Sequence, residues 1–150
     1  MILHDFKVFP HIGRLIGIDW GARRTGVAVS DDSRNFVFVR PVIVVKNPNE
    51  LTGKIVDLIK SEHVVGVVIG LPLRTDGTES ETTKMVRAFA DELSHAIDLP
   101  IVFIDETLSS SAATSEMGRV TIHDIKEQLD SESARVILEN AIAVIQRHGQ

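Results

Sequence analysis

Residues Leu15 to Asp31 read LIGIDWGARRTGVAVSD: an apolar strand that ends in a carboxylate, a turn carrying two arginines, and a second strand running back. The strands are Leu15 to Asp19 and Thr25 to Ser30, with the turn at Gly21 to Arg24, and Asp31 to Asn35 lead to a third strand from Phe36 to Val45. Connections this short belong to antiparallel hairpins. Then the pattern changes. Asn47-Pro48-Asn49-Glu50 is a helix start, with Asn47 as N-cap, Pro48 at the first helical position and Glu50 at the capping-box position. Leu51, Ile55, Leu58 and Ile59 recur at helical spacing, carrying that helix to about His63. Val64 to Gly70, VVGVVIG, is apolar on both parities, as in a central parallel strand covered on both faces. After the GLPLRTDG loop a second amphipathic helix, about Ser80 to Ile97, sets Met85, Phe89, Leu93 and Ile97 in one stripe, with Met85 and Phe89 in the core. Ile101 to Ile104 is another doubly buried strand and runs into Asp105-Glu106. A short helix from about Ser110 to Met117, a polar stretch and a last helix from about Ser131 to Arg147 complete the chain, the last turning Ala134, Leu138, Ala141, Ile142 and Ile145 inward.

The order is β-β-β-α-β-α-β-α-α. Right-handed crossovers make the first, fourth and fifth strands parallel, with the second and third antiparallel beside them. The fold class is therefore α/β, a mixed five-stranded sheet flanked by helices. Residues 15–150 form one domain, and residues 1–14 read as an extension that precedes it.

The chain has 150 residues, 43% hydrophobic and 25% charged, enough to build one core and too apolar for disorder. Its net charge of −5 is the wrong sign for coating nucleic acid by bulk charge and, alone, favours a small-molecule enzyme. The distribution is uneven: residues 1–75 carry ten basic against seven acidic side chains, and residues 76–150 carry six against fourteen. Arg14, Arg23, Arg24, Arg34, Arg40 and Arg74 all lie in the basic half, where a phosphate backbone would meet the hairpins. With no cysteine there is no disulfide, thiolate zinc site or thiol nucleophile, which suits a reducing compartment. The longest apolar run, Val64 to Leu73, is about half of what crosses a bilayer, and the N-terminus has no apolar signal core; a cytoplasmic location and no membrane partner are expected. The six histidines show no metal-ligand spacing.

In an open α/β sheet, ligands bind beyond the carboxyl ends of the parallel strands. Here those ends carry Asp19, Gly70-Leu71-Pro72 and Asp105-Glu106, and Asp130 stands just before the last helix. Carboxylates gathered this closely repel unless a cation is shared, and hard oxygen donors suit Mg²⁺ or Mn²⁺. The chemistry indicated is metal-assisted phosphodiester hydrolysis. Each carboxylate also has a plainer reading: Asp19 as an Asx-turn residue, Asp105 or Glu106 as a helix cap, Asp130 as a residue favoured by a helix dipole. Arg23 and Arg24 sit beside Asp19 and can clamp a phosphate, or be ordinary turn arginines. Trp20 is a stacking surface or a partly buried sheet-end residue. Ser109-Ser110-Ser111 read as caps and loop polarity, or as minor phosphate ligands.

Four segments, IDWGARRTGVAVSD (Ile18 to Asp31), VVIGLPLRTDGTES (Val67 to Ser80), VFIDETLSSSAA (Val102 to Ala113) and DSESARVIL (Asp130 to Leu138), resemble in order and spacing the motifs of the YqgF family. The resemblance implies an RNase H-like, Holliday-junction-resolvase-like nuclease that matures the 5′ end of the precursor of small-subunit (16S) ribosomal RNA. Carried over by position, it implies Asp19, Glu106 and Asp130 as the acidic catalytic set, Asp105 as an adjoining acidic residue, Arg24 as the hairpin arginine and Gly70-Leu71-Pro72 as the loop at the cleft wall; the expected metal set is Asp19, Asp105, Glu106 and Asp130, and the residues expected on the substrate are Arg23, Arg24, Arg74 and Ser109. The expected partner is structured RNA or branched DNA, and the expected state a monomer or weak homodimer. The family usually has an arginine after the Asp-Glu pair and then two threonines; Thr107 and Ser109-Ser110 stand here, removing one phosphate contact while keeping the hydroxyls. Two other functions fit parts of the pattern. DWGARRTGVAVSD also resembles the first phosphate loop of the actin and sugar-kinase type of ATP-binding fold, and the missing arginine fits a non-catalytic RNA-binding assembly factor.

Overall fold

The computed structural model describes residues 1–3, 6, 9–106 and 122–148, with side chains described for the same residues apart from 122–131 and 148. The expected helix near Ser110 to Met117, and Ser109 before it, lie outside the described residues. The elements are β1 (Ile2–Leu3), β2 (Leu15–Asp19), β3 (Arg24–Ser30), β4 (Val37–Val44), α1 (Asn49–Glu62), β5 (Gly66–Pro72), α2 (Glu81–Ala96), β6 (Ile101–Glu106) and α3 (Ile122–His148). They build one sheet in the order β1-β6-β5-β2-β3-β4, in which β1, β6, β5 and β2 pair in parallel and β3 pairs antiparallel with both β2 and β4.

The pleat sorts side chains into two cores. Ile16, Ile18, Val27, Val29, Val67, Ile69, Leu71 and Ile101 face Leu51, Ile55 and Ile59 of α1 and Val86, Phe89, Ala90 and Leu93 of α2. Leu15, Ala28, Val68 and Val102 face Ala134, Ile137, Leu138, Ala141, Ile142 and Ile145 of α3, all of them buried. This period-two sorting explains why β5 is apolar on both parities. Glycine decides how closely α3 lies on the sheet. A Cβ on Gly17 would stand 2.8 Å from Leu138 Cβ and 2.9 Å from the Ala134 carbonyl oxygen, so the helix rests on the bare backbone of β2.

Several expectations need correction. The sheet has six strands, not five, because Ile2–Leu3, read as part of an extension, pairs with Ile101–Val102. Phe6 and Phe9, also from that segment, meet edge to face at 5.5 Å and are buried in the α3-side core. Two residues are too short for any periodic signal. Met85 is 52% exposed, and Val86 takes its place in the core: residues spaced by four drift off a 3.6-residue stripe, and the buried row is Val86, Phe89, Ala90 and Leu93. The α1 N-cap is Pro48, one residue later than expected, although Asn47 Oδ1 still accepts the Asn49 N–H at 3.1 Å. Finally, α3 starts at Ile122, not near Ser131. Ile122, Ile125 and Leu129 continue the helical spacing, and Ser133 is buried within the helix.

At the sheet's outer edge β4 leaves Phe38, Val39 and Val44 exposed, with Phe36 beside it at 64%. Its pairing with β3 steps from Val27↔Arg40 to Thr25↔Ile43, a bulge that places one extra residue, beside Pro41, on the edge strand.

Candidate active site

Strands β2, β5 and β6 all end at the same edge of the sheet. Residues of β2 alternate from Leu15 on the α3 face to Ile16 on the other, so Asp19 falls on the α3 face. On β6, Val102 and Ile104 belong to the α3 side and Ile101 and Phe103 to the α1/α2 side, so Glu106 shares the face of Asp19. Asp105, paired in register with Leu71, lies on the opposite face and is exposed. The structure therefore places Asp19 and Glu106 on one face of the sheet and Asp105 on the other.

Between them runs β5. Asp19 and Glu106 are separated by two strand spacings, roughly 10 Å of backbone. The Glu106 side chain shortens that gap. Although Glu106 is the register partner of Pro72, its Oε2 lies 2.8 Å from where a Cβ on Gly70 would be, two residues back along β5. Ile18 pairs with Ile69, so Gly70 is the next position beside Asp19. The carboxylate thus lies over the strand that separates it from Asp19.

Arg24 opens β3 on the same face, since Ala28 of that strand meets the α3-side core. Asp19 pairs with Gly26, which sets Arg24 at the rim just beyond it. The turn is closed by Thr25, whose Oγ1 exchanges 3.3 Å hydrogen bonds with the Gly21 N–H and carbonyl. Arg23 is exposed at its tip, and Trp20, partly buried, packs on the α1/α2 side. Directly after β5, residues 73–79 form a small hairpin: Leu73 bridges Glu79, the Arg74 N–H donates to the Thr78 carbonyl at 2.9 Å, and Arg74 projects exposed. Arg87 of α2 holds this hairpin by two 3.0 Å bonds to Glu79 while its guanidinium lies 5.5 Å over the Phe103 ring. Ser80 caps α2 in a reciprocal box with Thr83, whose hydroxyl also donates to the Pro72 carbonyl and fixes the end of β5.

Other expected contacts fall elsewhere. Asp130 lies inside α3, eight residues past its start, so a helix-dipole role does not apply; it occupies the helical position one turn before Ala134, whose carbonyl faces Gly17. Its side chain, like Ser109, is outside the described residues. Three arginines of the basic half serve the fold away from this edge of the sheet. Arg14 and Arg40 grip Glu62 at 2.8 and 2.7 Å. Arg34 is only 6% exposed and donates its Nε–H to the Gly13 carbonyl, and burial lowers its pKa. Among the described residues no group of three or more candidate metal-binding side chains occurs. Nor is any described helix long and apolar enough to cross a membrane. Sequence reasoning missed the seat at Gly70, for which a glycine within a Val/Ile run was the available signal.

Residues 13–143 match the family model RuvX, described as Holliday junction resolvase. The chain belongs to the RuvX family. This is the YqgF family whose motifs the sequence resembles. A relative named "Putative pre-16S rRNA nuclease" from Maridesulfovibrio salexigens is 39% identical over 132 residues, covering 87% of this chain and 98% of that one. A relative of the same name from Rhodopirellula baltica is 34% identical over 146 residues, covering 95% and 83%. The structure of T. thermophilus RuvC in complex with a Holliday junction substrate matches with a TM-score of 0.56 over 91% of this chain and 96% of that chain. At 10% identity that likeness concerns the fold, which is RNase H-like. Asp19, Gly70 and Glu106 all fall within the matched residues.

Proposed function

We propose that this RuvX-family chain is a divalent-metal-dependent endonuclease that hydrolyses phosphodiester bonds in structured RNA, trimming the 5′ end of pre-16S ribosomal RNA in the cytoplasm. The observation that carries the reading is the placement of Asp19 and Glu106 on one face, at the carboxyl ends of parallel strands, with the Glu106 carboxylate laid over Gly70 toward Asp19. The names of the relatives supply the substrate class.

Carboxylate oxygens are the donors that Mg²⁺ or Mn²⁺ requires, and because Gly70 carries no Cβ the Glu106 carboxylate can lie over β5 beside Ile137, so the donor set present fits such an ion. Asp19 and Glu106 would hold it, with Asp130 as third ligand from α3; Asp105, on the other face, is left out. When bound, the ion would acidify an attacking water and stabilise the leaving oxygen. Arg24 at the rim orients a phosphate by bidentate hydrogen bonds, while Arg23, Arg74 and Ser109 steady the flanking backbone. With an acidic later half, and with Arg14, Arg34 and Arg40 engaged in the fold, recognition rests on local shape more than on bulk charge. The family description and fold support a second reading, resolution of branched DNA, which would require a symmetric dimer presenting two sites.

The test uses purified full chain with Mn²⁺ or Mg²⁺ on pre-16S RNA and on a four-way DNA junction, comparing wild type with Asp19→Asn, Glu106→Gln and Asp130→Asn. Cleavage of the RNA that each folded variant loses by at least 100-fold is expected. Cleavage unchanged in all three overturns the site. Cleavage of the junction alone selects the second reading, and RNA binding without cleavage selects an assembly factor. Stabilisation by ATP in place of metal points to the nucleotide-binding alternative.

A further inference from the structure

We infer that Gly70 is the positioning residue for Glu106, a Cβ-less seat that sets the direction of the carboxylate toward Asp19. This rests on the reading of Asp19 and Glu106 as metal ligands and adds to it the residue that aims one of them. The register alone sends Glu106 elsewhere: its strand partner is Pro72, and a glutamate standing upright there would point past the end of β5. Instead its Oε2 comes within 2.8 Å of the Cβ position of Gly70. A carbon atom there is well inside contact distance of a carboxylate oxygen, so alanine must expel the carboxylate or be expelled by it. The second wall of the seat is Ile137 of α3, with Cγ1 at 3.0 Å from the same point and Cδ1 closer still. Ile137 is 1% exposed, so it cannot withdraw into solvent. The seat is therefore bounded by strand backbone below and an aliphatic side chain at one side, and the strand next to it is β2, where Asp19 is the position beside Gly70. Ile137 lies seven residues, or about two turns, after Asp130 on the same helix, so the element that walls the seat also carries the third proposed ligand.

A glycine there solely to admit Ile137 predicts a different outcome, and a double-mutant cycle separates the two. Ile137→Val, which removes the Cδ1 overlap, is the background in which Gly70→Ala is made. Two readouts are taken on folded full-length protein: Mn²⁺ affinity by electron paramagnetic resonance, and, without metal, the side-chain ¹³Cδ resonance of Glu106. Gly70→Ala is expected to weaken Mn²⁺ binding by about 10- to 100-fold, the usual effect of disturbing a residue that orients a ligand, to move the Glu106 resonance, and to lower kcat more than it raises KM. In the Glu106→Asp variant, whose shorter side chain no longer reaches the seat, the same Gly70→Ala change should cost less than twofold further affinity. An equal loss with and without the Glu106→Asp substitution, or an unmoved Glu106 resonance, overturns the inference. If Glu106→Gln itself leaves Mn²⁺ affinity unchanged, the metal-ligand reading fails, while the metal-free resonance still decides whether the carboxylate rests on Gly70.

Discussion

Replacing glycine by alanine should have opposite signs at Gly17 and Gly53. At Gly17 the new methyl would meet Leu138 Cβ at 2.8 Å and the Ala134 carbonyl oxygen at 2.9 Å. Carbon atoms prefer separations of about 3.5–4.0 Å, so α3 must rise by about 0.7–1.2 Å. Neither neighbour is the far end of a flexible side chain; both are fixed to the helix backbone, and the whole helix has to move. Overpacking of this kind costs about 1–3 kcal/mol, and a backbone-anchored clash belongs in the upper part of that range. For a chain of this size each kcal/mol is about 2–4 °C, so Tm should fall by about 4–12 °C. At Gly53, in the middle of α1, no atom lies within 4 Å of the Cβ position. There alanine only relieves the helix-propensity penalty and narrows the unfolded ensemble, stabilising by about 0.5–1 kcal/mol. Urea unfolding at pH 7 with m-values compared across the three proteins measures both. Gly17→Ala within about 0.5 kcal/mol of wild type would refute the direct seating of α3 on β2; a destabilised Gly53→Ala would refute the open surface assigned to α1.

Two further outcomes follow from the same contacts. Glu62, gripped by Arg40 and Arg14, has its pKa lowered, chiefly by the hydrogen bond from Arg40 and against the effect of burial. The folded value lies below the unfolded one, so this stabilisation is complete above about pH 4.3 and is lost as pH falls through the lowered folded value; Glu62→Gln should cost about 1–2 kcal/mol at pH 7 and flatten the acid limb of a stability–pH curve. Ser80→Ala removes the acceptor for the Thr83 N–H and should cost about 1 kcal/mol in thermal or urea unfolding, and an unchanged Tm would dismiss the capping box.

The alternation of apolar residues was sufficient to lay out β2 to β6 and both crossover helices, because buried strands and amphipathic helices carry strong periods of 2 and 3.6 residues. It was also sufficient to bring Asp19 and Glu106 to one sheet edge. Faces were harder. Asp105 and Glu106 are consecutive in a strand, so only one can share the face of Asp19, and which one depends on the pairing of Leu71 with Asp105, a long-range register that local pattern does not contain. Met85 and Val86 pose the same problem on a helix, where a shift of one residue separates core from solvent. Arg34 shows a third kind of loss. An arginine in a polar turn reads as exposed, yet its positive φ of 62° and its bond to Gly13 fold it inward. Ile2–Leu3 became a strand only because β6 offers a parallel edge to pair with.

The interruption in β4 bears on how molecules of this protein treat one another. A sheet that ends in exposed Phe38, Val39 and Val44, with Phe36 alongside, offers a template on which a foreign strand could grow. Pro41 supplies no N–H to such a strand, and the extra residue of the bulge throws the rest of the edge out of register. An arriving chain therefore finds two short runs, Val37 to Arg40 and Val42 to Val44, neither long enough to nucleate lasting pairing. An edge interrupted in this way favours separate folded chains over a continuous ribbon of them.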